Sequence, residues 1–338
     1  LLKRVNRASV FAQCMCSGSL ARTRILLHPR DAHVECRGRA NGRFRSVRGT
    51  LRYGFGPFGL GGVPCLGMAF GATGRYTGRR QTNRACGKVL AGMIIRKTPA
   101  EIEAMKEAGR VSARVLREVG AHVRPGVSTL ELDELAETLI RAEGGIPAFK
   151  GYGGFPGSIC ASVNEQIVHG IPSANVVLKE GDIISIDTGA IVDGWVGDNA
   201  WTYAVGKVSP EKKRLLEVTE QCMWAGLDAA RPGNRLGDIG HAVQSIAEAE
   251  GFGVVREYVG HGIGRDMHED PNVPNYGHKH TGIKLEPGMV LAIEPMINLG
   301  THKTRSMPDG WLVCTRDGLP SAHFEKTVAV TEHGPMIL

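Results

Sequence analysis

Asp187 and Asp198 flank Asp193-Gly194, a dipeptide that favours a two-residue hairpin turn. With that turn as the loop, Val192 faces Trp195, Asp198 faces Gly189 and Asp187 faces Ala200. Side chains alternate along a strand, so both aspartates leave one face as diagonal neighbours, roughly 5.5–8 Å apart at Cβ. Carboxylates that close repel unless a cation or a proton lies between them. Ile184, Ile186, Ala190 and Ile191 around them imply burial, where bare ionised acids are costly. An arbitrary Asp pair of this kind is more often a solvent-facing feature of an edge hairpin. Other ligand types downstream argue against that here.

Gly260-His261-Gly262-Ile263-Gly264 runs on to His268-Glu269-Asp270-Pro271. Glycines beside His261 let backbone approach its imidazole closely. The G-x-G-x-G spacing is not a dinucleotide loop, because no helix opening or ribose-binding acid follows. Glu294 interrupts an apolar strand pattern from Val290 to Met296, and Glu325 alternates with His323 and Thr327 on another. An ionisable group on such a strand is expensive unless paired or ligating. Two Asp, one His and two Glu form an oxygen-rich set whose four carboxylates would neutralise two divalent cations. Such a set suits Mn, Fe, Co or Zn ions in a catalytic site; a structural zinc favours thiolates.

The elements that must position these groups are regular from Thr98 onward. Thr98-Pro99 starts a helix that runs to Gly120, and Ser128 with Glu131 forms a capping box for a second, ending at Gly144-Gly145. Ser158–Val163 reads as a strand and Ile183–Val205 as the hairpin. Ser209-Pro210 opens a helix to about Arg231, and another spans about Asp238–Glu250. Strands are expected at Val254–Val259, Val290–Ile297, Trp311–Thr315 and Ala322–Val330. Two helices and strands, then two helices and strands, suggest a duplicated α+β unit.

The chain of 338 residues is 42% hydrophobic and 22% charged, which excludes disordered, collagen and coiled-coil classes. No stretch approaches the ~20 uninterrupted apolar residues of a membrane span. Its net charge of +7 is unevenly spread. Residues 1–92 hold 17 Lys and Arg against Asp31 and Glu35, whereas residues 93–338 hold 24 bases against 32 acids. Five of the eight cysteines also lie in the front segment. The remaining three do not make a disulfide framework, so the body reads as reduced and intracellular. The front segment shows neither structural period, and its apolar run from Tyr53 to Gly74 is broken by glycines. It reads as a disordered or non-native extension ahead of Met93. A cleaved transit peptide, without the amphipathic helix such peptides show, and a basic arm on RNA or ribosome are the other readings.

The motifs together resemble one family. Val163-Asn164-Glu165-Gln166 leads to His169-Gly170-Ile171-Pro172. Asp187 and Gly197-Asp198 follow, then Tyr258 to Gly264 with His268, then Ile293-Glu294-Pro295-Met296, then Phe324-Glu325. Over 93–338 the sequence is similar to methionine aminopeptidases of the shorter, bacterial-type class. The resemblance implies an α+β "pita-bread" fold, a curved antiparallel sheet flanked by helices with a pseudo-twofold duplication. It implies two divalent cations (Co, Mn, Fe or Zn) on Asp187, Asp198, His261, Glu294 and Glu325, with Asp198 and Glu325 bridging. Glu294 would take a proton from the attacking water, His268 would bond the scissile carbonyl, and His169 would position the substrate amide. Tyr152, Cys160, Trp311, Phe149 and Met267 would hold the methionine side chain; the last two replace the Cys and Phe expected there.

The activity implied is removal of the N-terminal methionine from nascent proteins ahead of a small second residue. The protein would act as a cytoplasmic monomer near the ribosome, with no membrane contact and no nucleic-acid contact by the catalytic domain. Proline-directed relatives carry a His four residues before the ligand His, where this chain has Glu257. The longer methionine aminopeptidase class inserts a segment between ligand His and Glu, whereas His261 and Glu294 here are 33 positions apart. A non-catalytic pita-bread protein that binds RNA through residues 1–92 is the alternative from another class.

Overall fold

The computed structural model describes residues 94–338 and, ahead of them, only the backbone of four strands: Ser9–Cys16, Ser19–Leu27, Ala32–Ala40 and Arg43–Leu51. The chain divides into two compact units, Leu1–Arg84 and Ala85–Leu338. In the first, each strand pairs antiparallel with the next. The dense arginines hide enough β-formers, such as Val10, Phe11, Ile25, Val34, Phe44 and Val47, for a meander. The Tyr53–Gly74 run and Met93 lie outside the described residues.

In the second unit, helix α1 (Pro99–Ala121) opens with a capping box: Glu101 N donates to Thr98 Oγ1 (3.3 Å) and Thr98 N to Glu101 Oε2 (2.8 Å). Ser128 and Glu131 repeat the device for α2 (Thr129–Ala142). Helices α3 (Pro210–Ala229) and α4 (Leu236–Ala249) form the second pair.

A nine-stranded antiparallel sheet carries the site. Its central path runs Glu269–Val273, Gly260–Gly262, Val290–Ile293, Glu325–Thr331, Trp195–Ala204, Ile183–Val192 and Ile146–Pro147. Gly334–Ile337 and Ile159–Val163 add to it beside Glu325–Thr331 and Ile183–Val192. The hairpin register is the one the Asp193-Gly194 turn dictates, with Asp187 opposite Ala200 and Asp198 opposite Gly189.

Helices cover one face in two clusters. Val111, Val115, Leu132 and Ile140 pack on Ile184, Ile186 and Ile159. Leu215, Val218, Met223 and Val243 pack on Leu291, Ile293, Phe324 and Val328. Each helix pair thus buries its own group of strands, as the repeated sequence pattern suggests.

Two expected strands are each divided. Val290–Ile297 becomes Val290–Ile293 in the main sheet and Met296–Asn298 in a three-stranded sheet with Gly253–Val254 and Ser321–His323. Pro295, which lacks an N–H, sits at the break. Ala322–Val330 divides at Phe324 into Ser321–His323 and Glu325–Thr331, which pair in those same two sheets. The expected strand Val254–Val259 is reduced to Gly253–Val254, and Gly260–Gly262 forms instead.

Parity along the strands separates helix face from site face. Thr188 and Asn199 face α1: Ser112 Oγ donates to Thr188 O (2.7 Å) and accepts from Asn199 Nδ2 (3.1 Å). Asp187 and Asp198, one position away, point to the other face. Gly197 lies directly under α1, where a Cβ would overlap the Ala108 carbonyl and Gly109 N. Gly197→Ala is expected to cost about 1–3 kcal/mol by overpacking, read as a lower urea midpoint with unchanged slope.

Candidate metal centre

Two adjacent cross-strand rows carry most of the site. One runs Cys160, Asp187, Ala200, Glu325. The next runs Gly189, Asp198, then Thr327, Ala292 and His261. Asp198 and Thr327 are tied by two hydrogen bonds: Asp198 N donates to Thr327 Oγ1 (3.3 Å), and Thr327 Oγ1 to Asp198 O (2.9 Å). Glu294 follows Ala292 by two positions, at the break between sheets, where Asn275 Nδ2 donates to its carbonyl (3.0 Å).

The four acids and one histidine singled out in the sequence therefore converge. Donor atoms of Asp198, His261 and Glu325 lie within 4.8 Å of one another, and so do those of Glu294, His323 and Glu325. His261 Nε2 is 3.9 Å from Asp198 Oδ2 and 3.6 Å from Glu294 Oε1. The Asp187 and Asp198 carboxyls are in hydrogen-bonding contact.

His323 completes the group, with Nε2 3.5 Å from Glu294 Oε2 and 3.8 Å from Glu325 Oε2. The sequence places it on the same strand face as Glu325 and assigns it no role. Its spacing of two residues from Glu325 was the available signal, with buried Phe324 between them turned to the helix side against Trp201.

The charge state follows from confinement. Burial, reinforced by the neighbouring carboxylates, pushes Asp187, Glu294 and Glu325 well above the ordinary carboxylate range. Burial raises Asp198 to about 7. The same burial lowers His261 to about 4 and His323 to about 3, so both imidazoles are neutral at pH 7. His261 Nδ1 bonds to Gly262 O (2.9 Å), which leaves Nε2 as the lone-pair nitrogen facing the acids.

Asp187 Oδ1, Asp198 Oδ1, Glu325 Oε1 and His323 Nε2 are buried without a hydrogen-bond partner among the described residues. Buried polar atoms normally have one. Acceptor atoms that face each other without donors are what a cation-binding cluster requires. The residues present fit divalent metal.

The remaining expected residues surround this cluster. The His268 ring lies 4.3 Å from the His261 ring, and its Nδ1 is 2.8 Å from the Tyr152 hydroxyl. His169, at a φ of 61°, has its ring 6.4 Å from Trp311 and 5.9 Å from Tyr258. Burial holds His169 below its ordinary pKa, and the nearby His268 adds to this. Phe149, Cys160 and Met267 belong to one apolar cluster with Trp311 packed against it, whereas Tyr152 is exposed. A Cβ on Gly189 would lie 2.9 Å from both Met267 Cε and Phe149 Cε1, so that glycine leaves room beneath them. Phe155, edge-on to Trp311 at 5.2 Å, joins this wall and was not foreseen.

Comparison with known proteins agrees with this geometry. Residues 103–332 match the model of metallopeptidase family M24, and the chain belongs to that family. It is 56% identical over 246 residues to methionine aminopeptidase 1 of Bacillus subtilis (strain 168), covering 73% of this chain and 99% of the relative. The crystal structure of methionine aminopeptidase from Rickettsia prowazekii superposes with a TM-score of 0.71 at 46% identity, over 72% of this chain and 99% of that one. A Xaa-Pro dipeptidase from Bacillus anthracis aligns with a TM-score of only 0.56 at 25% identity, over 72% of this chain and 61% of that one. Within M24 the chain therefore groups with the methionine aminopeptidases of the bacterial type, and its fold is the α+β pita-bread fold. It is a metallopeptidase that uses divalent metal.

Proposed function

We propose that residues 93–338 remove the N-terminal methionine from nascent proteins and peptides whose second residue is small, using two divalent cations (Co, Mn, Fe or Zn). The observation that carries this reading is the buried cluster of four carboxylates and two neutral imidazoles with partnerless acceptor atoms. Asp187, Asp198, His261, Glu294 and Glu325 would hold the cations. Such cations would supply a lowered pKa for the attacking water and an anchor for the substrate's free α-amino group.

The side chains do the rest. Glu294 accepts the proton of the attacking water. With the Tyr152 hydroxyl donating to Nδ1, His268 carries its proton on Nε2 and donates it to the scissile carbonyl oxygen as charge develops there. His169 orients the substrate amide. The methionine side chain rests against Phe149, Cys160, Met267 and Trp311, with Tyr152 at the edge. Burial keeps the Cys160 thiol protonated, as an apolar wall requires.

We place the activity in the cytoplasm, on a monomer near the ribosome, with residues 1–92 as an extension outside the catalytic unit. Among the described residues no helix is long and apolar enough to cross a membrane. The excess of acids in residues 93–338 opposes direct nucleic-acid contact.

The test is free methionine released from Met-Ala-Ser, measured with chelator and after reconstitution with Co²⁺ or Mn²⁺. Release that chelator stops and metal restores is expected. Peptide binding without release after reconstitution would overturn the enzymatic reading in favour of a non-catalytic protein.

A further inference from the structure

The segment from Gly264 to Glu269 links the strand bearing His261 to the strand Glu269–Val273, and it carries both Met267 and His268. Arg265, Asp266 and His268 are exposed, so apolar burial alone does not hold it. Two charged anchors do. On one side the Arg265 guanidinium lies 3.7 Å over the Trp195 ring and Nη1 donates to Asp193 O (2.8 Å), pinning the segment to the hairpin turn. On the other side the Glu269 carboxylate accepts at Oε1 from Arg265 N (3.0 Å) and Asp266 N (3.4 Å). Its Oε2 accepts from Lys97 Nζ.

The Lys97–Glu269 pair stands apart from the others. Its side chains are 2% and 5% exposed, whereas in every other Lys or Arg ion pair among the described residues the base is at least 39% exposed. Lys97 is itself fixed just ahead of α1, where its N donates to Gly288 O (2.7 Å). Gly264 makes room for it, since a Cβ there would fall 2.5 Å from Lys97 Cε and 2.8 Å from Nζ. Burying an ion pair is a costly way to gain stability, and such pairs are better explained when they fix one geometry.

We propose that Lys97 is a positioning residue for the reaction: through Glu269 it sets where His268 presents its ring to the scissile carbonyl. The inference rests on the carbonyl-bonding role given to His268 above. Displacing a catalytic group by about 1 Å costs on the order of 10²-fold, so a residue well outside the metal cluster acquires a large effect on rate.

The test compares Lys97→Met, His268→Ala and their double variant in the full, metal-loaded chain on Met-Ala-Ser. Each single variant is expected to lower kcat by roughly 10²-fold, with KM changed by about threefold or less. The double variant is expected to be no slower than His268→Ala alone. Losses that multiply in the double variant would show the pair to be merely structural and overturn the proposal. Unchanged kcat in Lys97→Met would do the same. Unchanged kcat in His268→Ala would instead remove the role of His268, and the positioning of it along with that role. Lys97→Met/Glu269→Gln removes both buried charges while the Gln carbonyl still accepts from Arg265 N and Asp266 N. It is expected to regain most of the lost kcat, because the amide needs no counter-charge; a loss as large as that of Lys97→Met would show that Lys97 does not act through Glu269 and overturn the proposal.

Discussion

Asp198→Asn is expected to leave a folded protein whose methionine release has fallen by on the order of 10³-fold or more, about 4 kcal/mol of transition-state stabilisation. Asn has nearly the same volume and keeps one carbonyl oxygen, so packing around this buried position survives. It removes the charge and one of the two carboxylate oxygens. Asp198 lies 3.9 Å from His261 Nε2 and contacts Asp187, and its Oδ1 has no partner among the described residues.

The same substitution is expected to act in the opposite direction on the metal-free protein. Four carboxyls confined without cations destabilise the fold, because each must either stay charged beside the others or hold a proton that the unfolded chain has released, and replacing one relieves part of that cost. A gain of about 1 kcal/mol would raise the melting temperature by roughly 2–4 °C in a domain of this size. Calorimetry in chelator reads the sign directly. A lower melting temperature would mean that Asp198 supports the fold and that the loss of rate does not report on metal.

Metal removal is expected to abolish activity and to change how stability depends on pH. In the metal-free fold Asp198 is raised to about 7 from an ordinary 3.8, and Asp187, Glu294 and Glu325 are raised well above their ordinary values. Below its folded-state pKa each such group keeps a proton that the unfolded chain has already released, so stability falls as pH rises, by at most about 1.4 kcal/mol per pH unit per group, and the Asp198 contribution ends near 7.

The buried imidazoles contribute the opposite slope below 6.5, because His261 and His323 stay neutral in the fold down to about 4 and about 3 while the unfolded chain protonates them. Above pH 6.5 they are neutral in both states and the carboxyls alone set the slope. Bound cations hold the carboxylates ionised in the fold, so metal-loaded protein loses that dependence. Melting temperatures from pH 6.5 to 8 should fall in EDTA and stay level in Mn²⁺, with the gap widening. Parallel curves would mean that these acids do not share a metal site.

Much of this centre is legible in the amino-acid order because it depends on strand parity. Asp193-Gly194 sets the hairpin register, and register decides that Asp187 and Asp198 share a face. The glutamates are legible as misfits in apolar strands. What escapes is where a strand changes sheet: an apolar run from Val290 to Met296 does not say which neighbour each half will pair with. Pro295 was the one local sign of the break, and Phe324 offered none. Glu294 and Glu325 sit at those breaks.

His323 was overlooked because a single inward histidine is ordinary until Glu294, some thirty positions earlier, is known to lie 3.5 Å away. Lys97 reads as the polar lead-in to a helix, and only the tertiary structure brings it to Glu269. The charge of the whole chain misleads for a different reason, since it sums a basic front segment with an acidic enzyme domain.

The most direct test is a Mn²⁺ titration of the metal-free protein that follows bound metal and methionine release from Met-Ala-Ser together. Two equivalents bound per chain, with release rising as they bind and absent before, is the expected result. Full release in the presence of excess chelator, or saturation with metal without any release, would contradict a dinuclear site built from Asp187, Asp198, His261, Glu294 and Glu325.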